Sequence, residues 1–391
     1  MNIYLVAIPL VSLLLLKAVL TLFRHLRSDL RSVQGPRAAR WTLGWYTWKV
    51  WQGSFEHVNR DLHKKYGSVV RYAPNRYSLS DLEAVKVIYG LGTSFPKSPW
   101  YIPWGIPGDN NLFNERSLAQ HAHDRKQYQS TYSMSSLVNY EAYVDECAEL
   151  LKNRLSELCA AGQAVDMHHW LQCYAFDVIG MITYGKRLGF LDKGEDVGNV
   201  INALGESLGY STIVGIVFPT LHDIIFPILN FLAGSKGQGG AYVTAFTKAR
   251  ISEAQSNPKA VILDDSDAST QSFLMKFLAK NTSKPDAFTS SHVTTGCVVN
   301  MVAGSDTTGI CLCHGGRIAD KISSQFGLGS RTCIGRHISM LEMCKLIPAL
   351  VRDFEFALDD NLLYNEWKTQ NHWFVKPLDF QVWVKPRTSA G

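Results

Sequence analysis

Apolar residues recur at helical spacing over most of the chain, and strand-like alternation is confined to one short stretch. From about Ser117 to Gly185 the period is helical, as in LVNYEAYVDECAELLKNRLSELCAAG, where Gly162 marks a helix end. The next segment, WLQCYAFDVIGMITYG, is apolar on nearly every side and predicts a helix buried in a large domain. The alternation at Gly67–Asp81 predicts a β-hairpin, followed by a short helix ending at Gly90. We therefore predict a mostly α fold with a small β region.

The N-terminus carries the most apolar segment of the chain. Residues 3–23, IYLVAIPLVSLLLLKAVLTLF, contain Lys17 as their only charge. At about 1.5 Å per residue, such a helix crosses roughly 30 Å of hydrocarbon. Five arginines follow within residues 24–40, which places the rest of the chain in the cytosol by the positive-inside rule. We predict an uncleaved single-pass anchor over 1–23; a signal peptide is disfavoured because no A-x-A-like cleavage site follows.

The remaining residues include two polar segments and one aromatic segment. GSKGQGG (234–240) and DDSDASTQS (264–272) predict surface loops. RWTLGWYTWKVW (40–51) follows the break at Gly35-Pro36, and its aromatic residues are compatible with either a membrane surface or a core. We expect one globular body over 24–391.

Composition narrows the possible functions without identifying one. The 391 residues are 46% hydrophobic and 19% charged, with a formal net charge of +5, which is typical of a globular protein and gives no reason to expect nucleic-acid binding. Eight cysteines lack the dense, regular spacing of a secreted disulfide scaffold, so a reducing compartment is favoured.

One cysteine lies in a setting that suggests chemistry. Cys333, in FGLGSRTCIGRH, precedes the helical pattern ISMLEMCKLIPALVRDF and is therefore expected at a helix N-terminus, where amides and the macrodipole favour a thiolate. Glycines at 327, 329 and 335 allow a tight loop that a flat group can approach. Arg331 is placed to pair with a carboxylate. A thiolate in such a loop suits an axial ligand of haem iron.

Two other interpretations of this cysteine remain open from the residues alone. An ordinary buried structural cysteine is the first. The second is a zinc site built from Cys311, Cys313, His314 and Cys333, although the C-x-C-H spacing is poor for zinc.

The residues around Cys333 decide between these interpretations through a resemblance. FGLGSRTCIG satisfies F-x-x-G-x-R-x-C-x-G and resembles the haem-binding loop of the cytochrome P450 superfamily. AGSDTT (303–308) resembles the acid–alcohol pair on the long helix that crosses the haem face in that superfamily. HAHDRKQYQSTYSMSSL (121–137) resembles the helix that supplies a propionate-binding arginine, although tryptophan usually stands where this chain has His121. HKKYGSVVRYAPNRYSLSD and SFPKSPWY are similar to fungal monooxygenases of the pisatin-demethylase type, and the resemblance covers most of 35–310 and 326–386.

The resemblance implies roles for eight residues. Cys333 would be the thiolate ligand of haem iron, and Arg331 and Arg125 would bind the propionates. Phe326 would shield the sulfur, while Gly329 and Gly335 would shape the loop and leave room for the porphyrin. Thr307 would hold water or iron-bound oxygen, and Asp306 would relay protons. Taken alone, Asp306-Thr307-Thr308 is equally typical of a turn or helix end, and a helical arginine usually faces solvent.

One departure from the superfamily concerns the interval before the cysteine loop. Thr307 and Cys333 are only 26 positions apart, and nowhere in the sequence does Arg follow Glu at the third position. Glu149…Lys152 and Glu342…Lys345 have this spacing but end in lysine, which lacks the planar guanidinium fork. The superfamily has further helices, strands and a Glu-x-x-Arg pair in this interval. We therefore expect an incomplete cytochrome P450 fold, with an internal deletion near 311–325.

Two hypotheses from different classes follow from these observations. The first is a membrane-anchored haem-thiolate monooxygenase of the endoplasmic reticulum. It would take electrons from NADPH–cytochrome P450 reductase and insert one oxygen atom from O₂ into a small hydrophobic organic substrate of a fungal secondary-metabolite pathway. The second is an inactive remnant or splice form that does not bind haem productively. A helical membrane scaffold unrelated to haem would require both signatures to be accidental.

Overall fold

The computed structural model describes residues 19, 23, 29–90, 92, 94–234, 239–256, 271–313, 326–358 and 368–387. Most of the predicted anchor at 3–23, and the predicted junction after Cys313, lie outside these residues. The chain divides into two compact units, Met1–Gly90 and Leu91–Gly391.

The small unit is built around the predicted hairpin. Its elements are α1 (Gly44–Trp51), α2 (Phe55–Tyr66), β1 (Val69–Ala73), β2 (Arg76–Leu79) and α3 (Leu82–Tyr89), with 3₁₀ turns at Asp29–Ser32 and Ala38–Arg40. The strands β1 and β2 are antiparallel, and Val69 pairs with Leu79. The Asp81 carboxylate accepts a hydrogen bond from the Glu83 amide at 3.0 Å, and this N-cap starts α3 where the sequence predicted a helix.

The large unit is mostly helical. Its helices are α4 (Leu118–Tyr128), α5 (Met134–Leu137), α6 (Glu141–Ala160), α7 (Met167–Tyr184), α8 (Phe190–Lys193), α9 (Val200–Val217), α10 (His222–Leu232), α11 (Gly239–Ser256), α12 (Phe273–Ser283), α13 (Ser290–Cys313) and α14 (Arg336–Asp353). Further 3₁₀ turns lie at Pro99–Trp104, Val138–Tyr140, Val197–Asn199, Pro219–Leu221 and Gly329–Arg331.

Four helices, α6, α7, α13 and α14, pack against one another and form the core of the large unit. The central member is α7, of whose 18 residues fifteen are buried, so it faces protein on all sides as its apolar sequence predicted. The Asp177 carboxylate on α7 accepts hydrogen bonds from the amides of Leu188, Gly189, Phe190 and Leu191, which fixes the following loop against the core.

The strands of the large unit are few and short. They are β3 (Val165–Asp166), β4 (Phe354–Leu358), β5 (Thr369–Asn371), β6 (Val375–Pro377) and β7 (Gln381–Pro386). One antiparallel sheet has the order β3–β7–β4, with Phe354 opposite Pro386. A separate antiparallel hairpin joins β5 to β6, with Thr369 opposite Pro377.

The predicted hairpin, the long helices and the mostly α architecture are confirmed. One predicted surface loop is partly wrong, because Gly239 and Gly240 begin α11 and Gly239 is buried. A Cβ atom at Gly239 would lie 2.3 Å from the Ala203 carbonyl oxygen, so the glycine there serves close helix packing. The predicted loop at 264–272 lies almost entirely outside the described residues.

Candidate functional site

The loop before α14 is closed by its own backbone. The Cys333 amide donates a hydrogen bond to the Phe326 carbonyl oxygen at 2.8 Å, which brings the first and eighth residues of the motif together. Gly327 and Gly329 have φ angles of 72° and 62°, a region that side chains disfavour, so glycine is required for this closure. Phe326 itself packs against the core of the large unit.

Cys333 lies at the predicted helix N-terminus, three residues before α14, and the residue as a whole is exposed although protein surrounds part of its thiol. Desolvation by the surrounding protein raises the pKa of the thiol, whereas hydrogen bonds from the Gly335 and Arg336 amides and the charge of Arg125 lower it. A Cβ atom at Gly335 would have only the Cys333 Sγ within 4.0 Å, so space is open beside the sulfur.

Positive charge is concentrated next to this thiol. Arg125 lies on α4, close enough to Cys333 for the two charges to interact, and desolvation lowers the pKa of its guanidinium. Desolvation and the nearby Arg331 lower the pKa of Lys97 to about 8. Desolvation and the charges of Arg331, Arg125 and Lys97 lower the pKa of the buried His121 to about 4, so this imidazole is neutral at pH 7.

Arg331 has unused hydrogen-bonding capacity in the same place. Its Nη1 donates to the Glu115 carbonyl oxygen at 2.9 Å. Its buried Nε and Nη2 atoms have no hydrogen-bond partner among the described residues. A guanidinium with two buried donors that lack partners, in a group of mutually repelling cations, is suited to bind a carboxylate. An open thiol, a glycine and a carboxylate-binding cation group are what a haem with two propionates requires, so the residues present fit this group.

The acid–alcohol pair lies on α13, as predicted, but its two side chains are not brought together. Asp306 is fully buried; its Oδ1 accepts a hydrogen bond from the Gln172 amide on α7, and its Oδ2 forms an ion pair with Lys376 Nζ on β6 at 2.7 Å. The Thr307 hydroxyl donates instead to the Ala303 carbonyl oxygen at 2.6 Å, one turn earlier in the same helix.

A buried hydroxyl pair joins the central helix to the helix that follows Cys333. The side-chain oxygens of Thr308 on α13 and Ser339 on α14 lie 2.9 Å apart. This contact fixes α14, and therefore the N-terminus that carries Cys333, against the helix that carries Thr307.

Sequence reasoning missed Gln172, Lys376 and Lys97. Gln172 carried a usable signal, because it is a polar residue within an otherwise apolar helix. The sequence around Lys376 and Lys97 gave no signal that they belong to the site. The zinc interpretation gains no support, since the described residues contain no group of three or more His, Cys, Asp or Glu side chains arranged to hold a metal; His314 lies outside them.

Comparison with known proteins identifies the class. The sequence model of the family described as Cytochrome P450 matches residues 33–315, and the chain belongs to that family. This family comprises monooxygenases that carry haem with cysteine thiolate ligation, receive electrons from a redox partner, and use O₂ to oxidise organic substrates. A membrane scaffold unrelated to haem is thereby ruled out.

Three of the similar proteins are from fungi. Pisatin demethylase of Fusarium vanettenii is 28% identical over 472 aligned positions, covering 93% of this chain and 91% of that protein. A cytochrome P450 monooxygenase of Aspergillus terreus is 35% identical over 303 positions, covering 73% of this chain and 59% of that protein. The monooxygenase gsfF of Penicillium aethiopicum is 24% identical over 474 positions, with coverages of 92% and 94%.

Proposed function

We propose that this chain is a haem-thiolate monooxygenase in which Cys333 would supply the thiolate that binds the haem iron. The observation that carries the assignment is the group of cations beside an open thiol, in which Arg331 retains two buried donors without partners. Arg331 and Arg125 would bind the two propionates, and Lys97 would add positive charge nearby. When bound, haem supplies activation of O₂ and insertion of one oxygen atom into a C–H bond or double bond.

The protein's own residues would position and protect this chemistry. Phe326 and the left-handed Gly329 hold the loop closed, and Gly335 leaves the sulfur accessible from one side. The Thr307 hydroxyl would hold water by exchanging its bond to the Ala303 carbonyl. Asp306 would pass protons to Thr307 only after its carboxylate separates from Lys376, because the ion pair turns the acid toward β6.

The cellular setting belongs to the same proposal. Residues 1–23 would anchor the chain by a single span in the endoplasmic reticulum, with 24–391 as the cytosolic catalytic body. NADPH–cytochrome P450 reductase would be the electron donor, and a small hydrophobic molecule of a fungal secondary-metabolite pathway would be the substrate. The support is the apolar N-terminal segment followed by arginines, together with the fungal monooxygenases that the chain resembles.

A second candidate function, an inactive remnant, is favoured by two specific observations. The family match ends at residue 315, before the cysteine loop, and the alignment to pisatin demethylase spans 472 positions although this chain has 391 residues. An internal deletion near 311–325 would also remove the superfamily's Glu-x-x-Arg helix, which supports the cysteine loop from behind.

The carbon-monoxide difference spectrum of the reduced, haem-loaded chain tests the proposal. We expect the Soret band of a ferrous thiolate–CO complex, its loss in Cys333→Ser, and its retention in Cys344→Ser, a matched control because Cys344 is an exposed thiol on α14. A band that survives Cys333→Ser would refute the ligand assignment. No haem band at all, with haem in excess during expression, would favour the remnant.

A further inference from the structure

Five aromatic side chains form a cluster on the large unit that the proposed chemistry does not use. We call Trp100, Tyr101, Trp104, Phe113 and Trp373 the tryptophan cluster. The ring centroid of Trp373 lies 4.7 Å from that of Trp100 and 4.8 Å from that of Trp104, and both pairs are tilted. Phe113 lies 5.4 Å from Trp104 and 5.3 Å from Tyr101, each edge to face.

The rear of the cluster is fixed by close packing on α9. A Cβ atom at Gly215 would lie 2.6 Å from the Trp100 carbonyl oxygen and 2.9 Å from its Cδ1, so glycine is needed for the indole to pack there. The hairpin that carries Trp373 is fixed to the same helix, because the Thr212 hydroxyl donates to the His372 carbonyl oxygen. These contacts hold the Trp100 and Trp373 rings in place before any ligand binds.

The front of the cluster is accessible and has an unused donor. Trp373 is 36% exposed and Phe113 is 37% exposed, so both residues are partly open to solvent. The buried Nε1–H groups of Trp100 and Trp104 both lack a hydrogen-bond partner among the described residues. The Trp100 Nε1 lies beside Gly215 at the rear of the cluster, which leaves the Trp104 Nε1–H as the donor for a ligand. An unpaired buried donor is unfavourable, and a ligand oxygen that accepts a hydrogen bond from it would remove that cost.

Residues at both ends of the cluster adjoin residues of the candidate haem site. On one side, the Lys97 ammonium is 4.2 Å from the ring centroids of both Tyr101 and Phe113 and interacts electrostatically with Arg331. On the other side, Lys376 follows Trp373 by three residues and forms the ion pair with Asp306. A molecule stacked on Trp373 would therefore be near both the cation group and the acid–alcohol helix.

We infer that the tryptophan cluster is the substrate-binding wall, and that it selects planar aromatic molecules bearing a hydrogen-bond-acceptor oxygen. Aromatic faces favour flat rings by offset or edge-to-face contact, and the unpaired Trp104 N–H favours an acceptor over a plain hydrocarbon. That the bound molecule is then oxidised rests on the proposed function, whereas the binding itself needs no haem.

Equilibrium dialysis of the purified full chain against 9-fluorenone and fluorene tests this inference, since the two probes share a planar skeleton and differ by one carbonyl oxygen. We expect the native chain to bind fluorenone about fivefold more tightly than fluorene, the effect of one hydrogen bond. Trp373→Leu should weaken both probes by about three- to tenfold through lost ring contact. Trp104→Phe should remove only the preference for fluorenone. Trp51→Leu, at an exposed tryptophan of the small unit, is the matched control and should change nothing.

Equal binding of the two probes by the native chain would overturn the role of the Trp104 donor. If Trp373→Leu and Trp51→Leu change the affinity for the probes equally, the tryptophan cluster is not the binding site. This comparison tests the site even if the Trp104→Phe variant does not fold. The carbon-monoxide spectrum is a separate measurement. Selective fluorenone binding without a haem band would therefore support the binding wall while rejecting the oxidation.

Discussion

Glu342 is a buried acid whose carboxyl group lacks hydrogen-bond partners among the described residues. It lies on α14, fully buried, and neither carboxyl oxygen has a hydrogen-bond partner among the described residues. The buried Tyr174 hydroxyl, which also lacks a partner there, is near enough for a charge on Glu342 to raise the pKa of Tyr174. Burial raises the pKa of Glu342 well above its usual value, so the acid is held neutral.

This burial predicts a pH-dependent stability. In the unfolded chain Glu342 ionises above about pH 4.5, whereas in the folded chain it keeps its proton, so the free energy of unfolding should fall as the pH rises above 4.5. The loss approaches about 1.4 kcal/mol per pH unit until the folded pKa is reached. Urea denaturation at pH 5 to 8 should show the native chain losing stability relative to Glu342→Gln.

The exposed Glu195 provides the control, because Glu195→Gln should follow the native chain at every pH. A constant difference between the native chain and Glu342→Gln would mean that Glu342 has a partner or reaches water.

At the residue scale, the sequence predicts groups of residues that are close together in the chain, but not contacts between residues that are distant in sequence. The proximity of Gly329, Cys333 and Gly335 was predictable because they lie within seven consecutive residues. The partners of Asp306 were not, since Gln172 is 134 positions away and Lys376 lies on a separate hairpin. Charge pairing of this kind follows from packing, and no spacing rule encodes it.

At the scale of elements, the crossing of α7 and α13 depends on small residues. A Cβ atom at Gly304 would lie 2.8 Å from Ile179 Cγ1, which is too close for the helices to keep their separation. Gly304→Ala should therefore lower the free energy of unfolding by about 1–3 kcal/mol. This is the reverse of the effect of about 1 kcal/mol that alanine has in an open helix.

The matched control is Gly205→Ala on α9, where a Cβ would meet nothing within 4 Å and stability should rise. Thermal or chemical denaturation measures both variants. Adding Ile179→Val to Gly304→Ala should not restore stability fully, because valine lacks only the Cδ1 atom and keeps a γ carbon where Cγ1 lies 2.8 Å from the new methyl. Equal stabilisation by Gly304→Ala and Gly205→Ala would contradict the packing argument.

A second prediction at this scale concerns the link between α13 and β6. Lys376→Met would leave the fully buried Asp306 carboxylate without its cation, and because Lys376 is partly exposed we expect a loss of about 2–3 kcal/mol. Asp306→Asn added to Lys376→Met should recover part of this loss, since it removes the unpaired charge. Lys385→Met, at an exposed lysine of β7, should have little effect. The proposed coupling fails if the double variant is no more stable than Lys376→Met.

Helical periodicity predicted the elements themselves but not their contacts. The apolar α7 sequence predicted a buried helix, and the hydrophobic period predicted α6 and α14. The glycines at 239 and 240 suggested a loop by composition, yet close packing on Ala203 makes Gly239 a helix residue. Propensity was overridden there by the need for a residue without a side chain.

At the scale of the whole molecule, two long apolar helices must be distinguished from the predicted membrane anchor. Within the described residues, 197–217 and 290–313 are long and apolar enough to cross a membrane, yet half of each is buried in the large unit. Both include core residues, and 290–313 carries the fully buried Asp306 in its ion pair. Their hydropathy is therefore explained by packing, and membrane attachment is expected from 3–23.

Membrane extraction provides the test at this scale. When the full chain is expressed in yeast, it should remain in the microsomal membranes after extraction with alkaline carbonate, because a spanning helix stays in the bilayer. Replacing Leu14 and Leu16 by arginine costs about 5–7 kcal/mol of insertion free energy at the helix centre and should release the chain to the supernatant. Lys17→Leu is the matched control, since it alters the same turn while increasing hydropathy, and it should stay in the pellet. If the double-arginine chain also stays in the pellet, the body itself attaches to the membrane, and 3–23 is not its sole anchor.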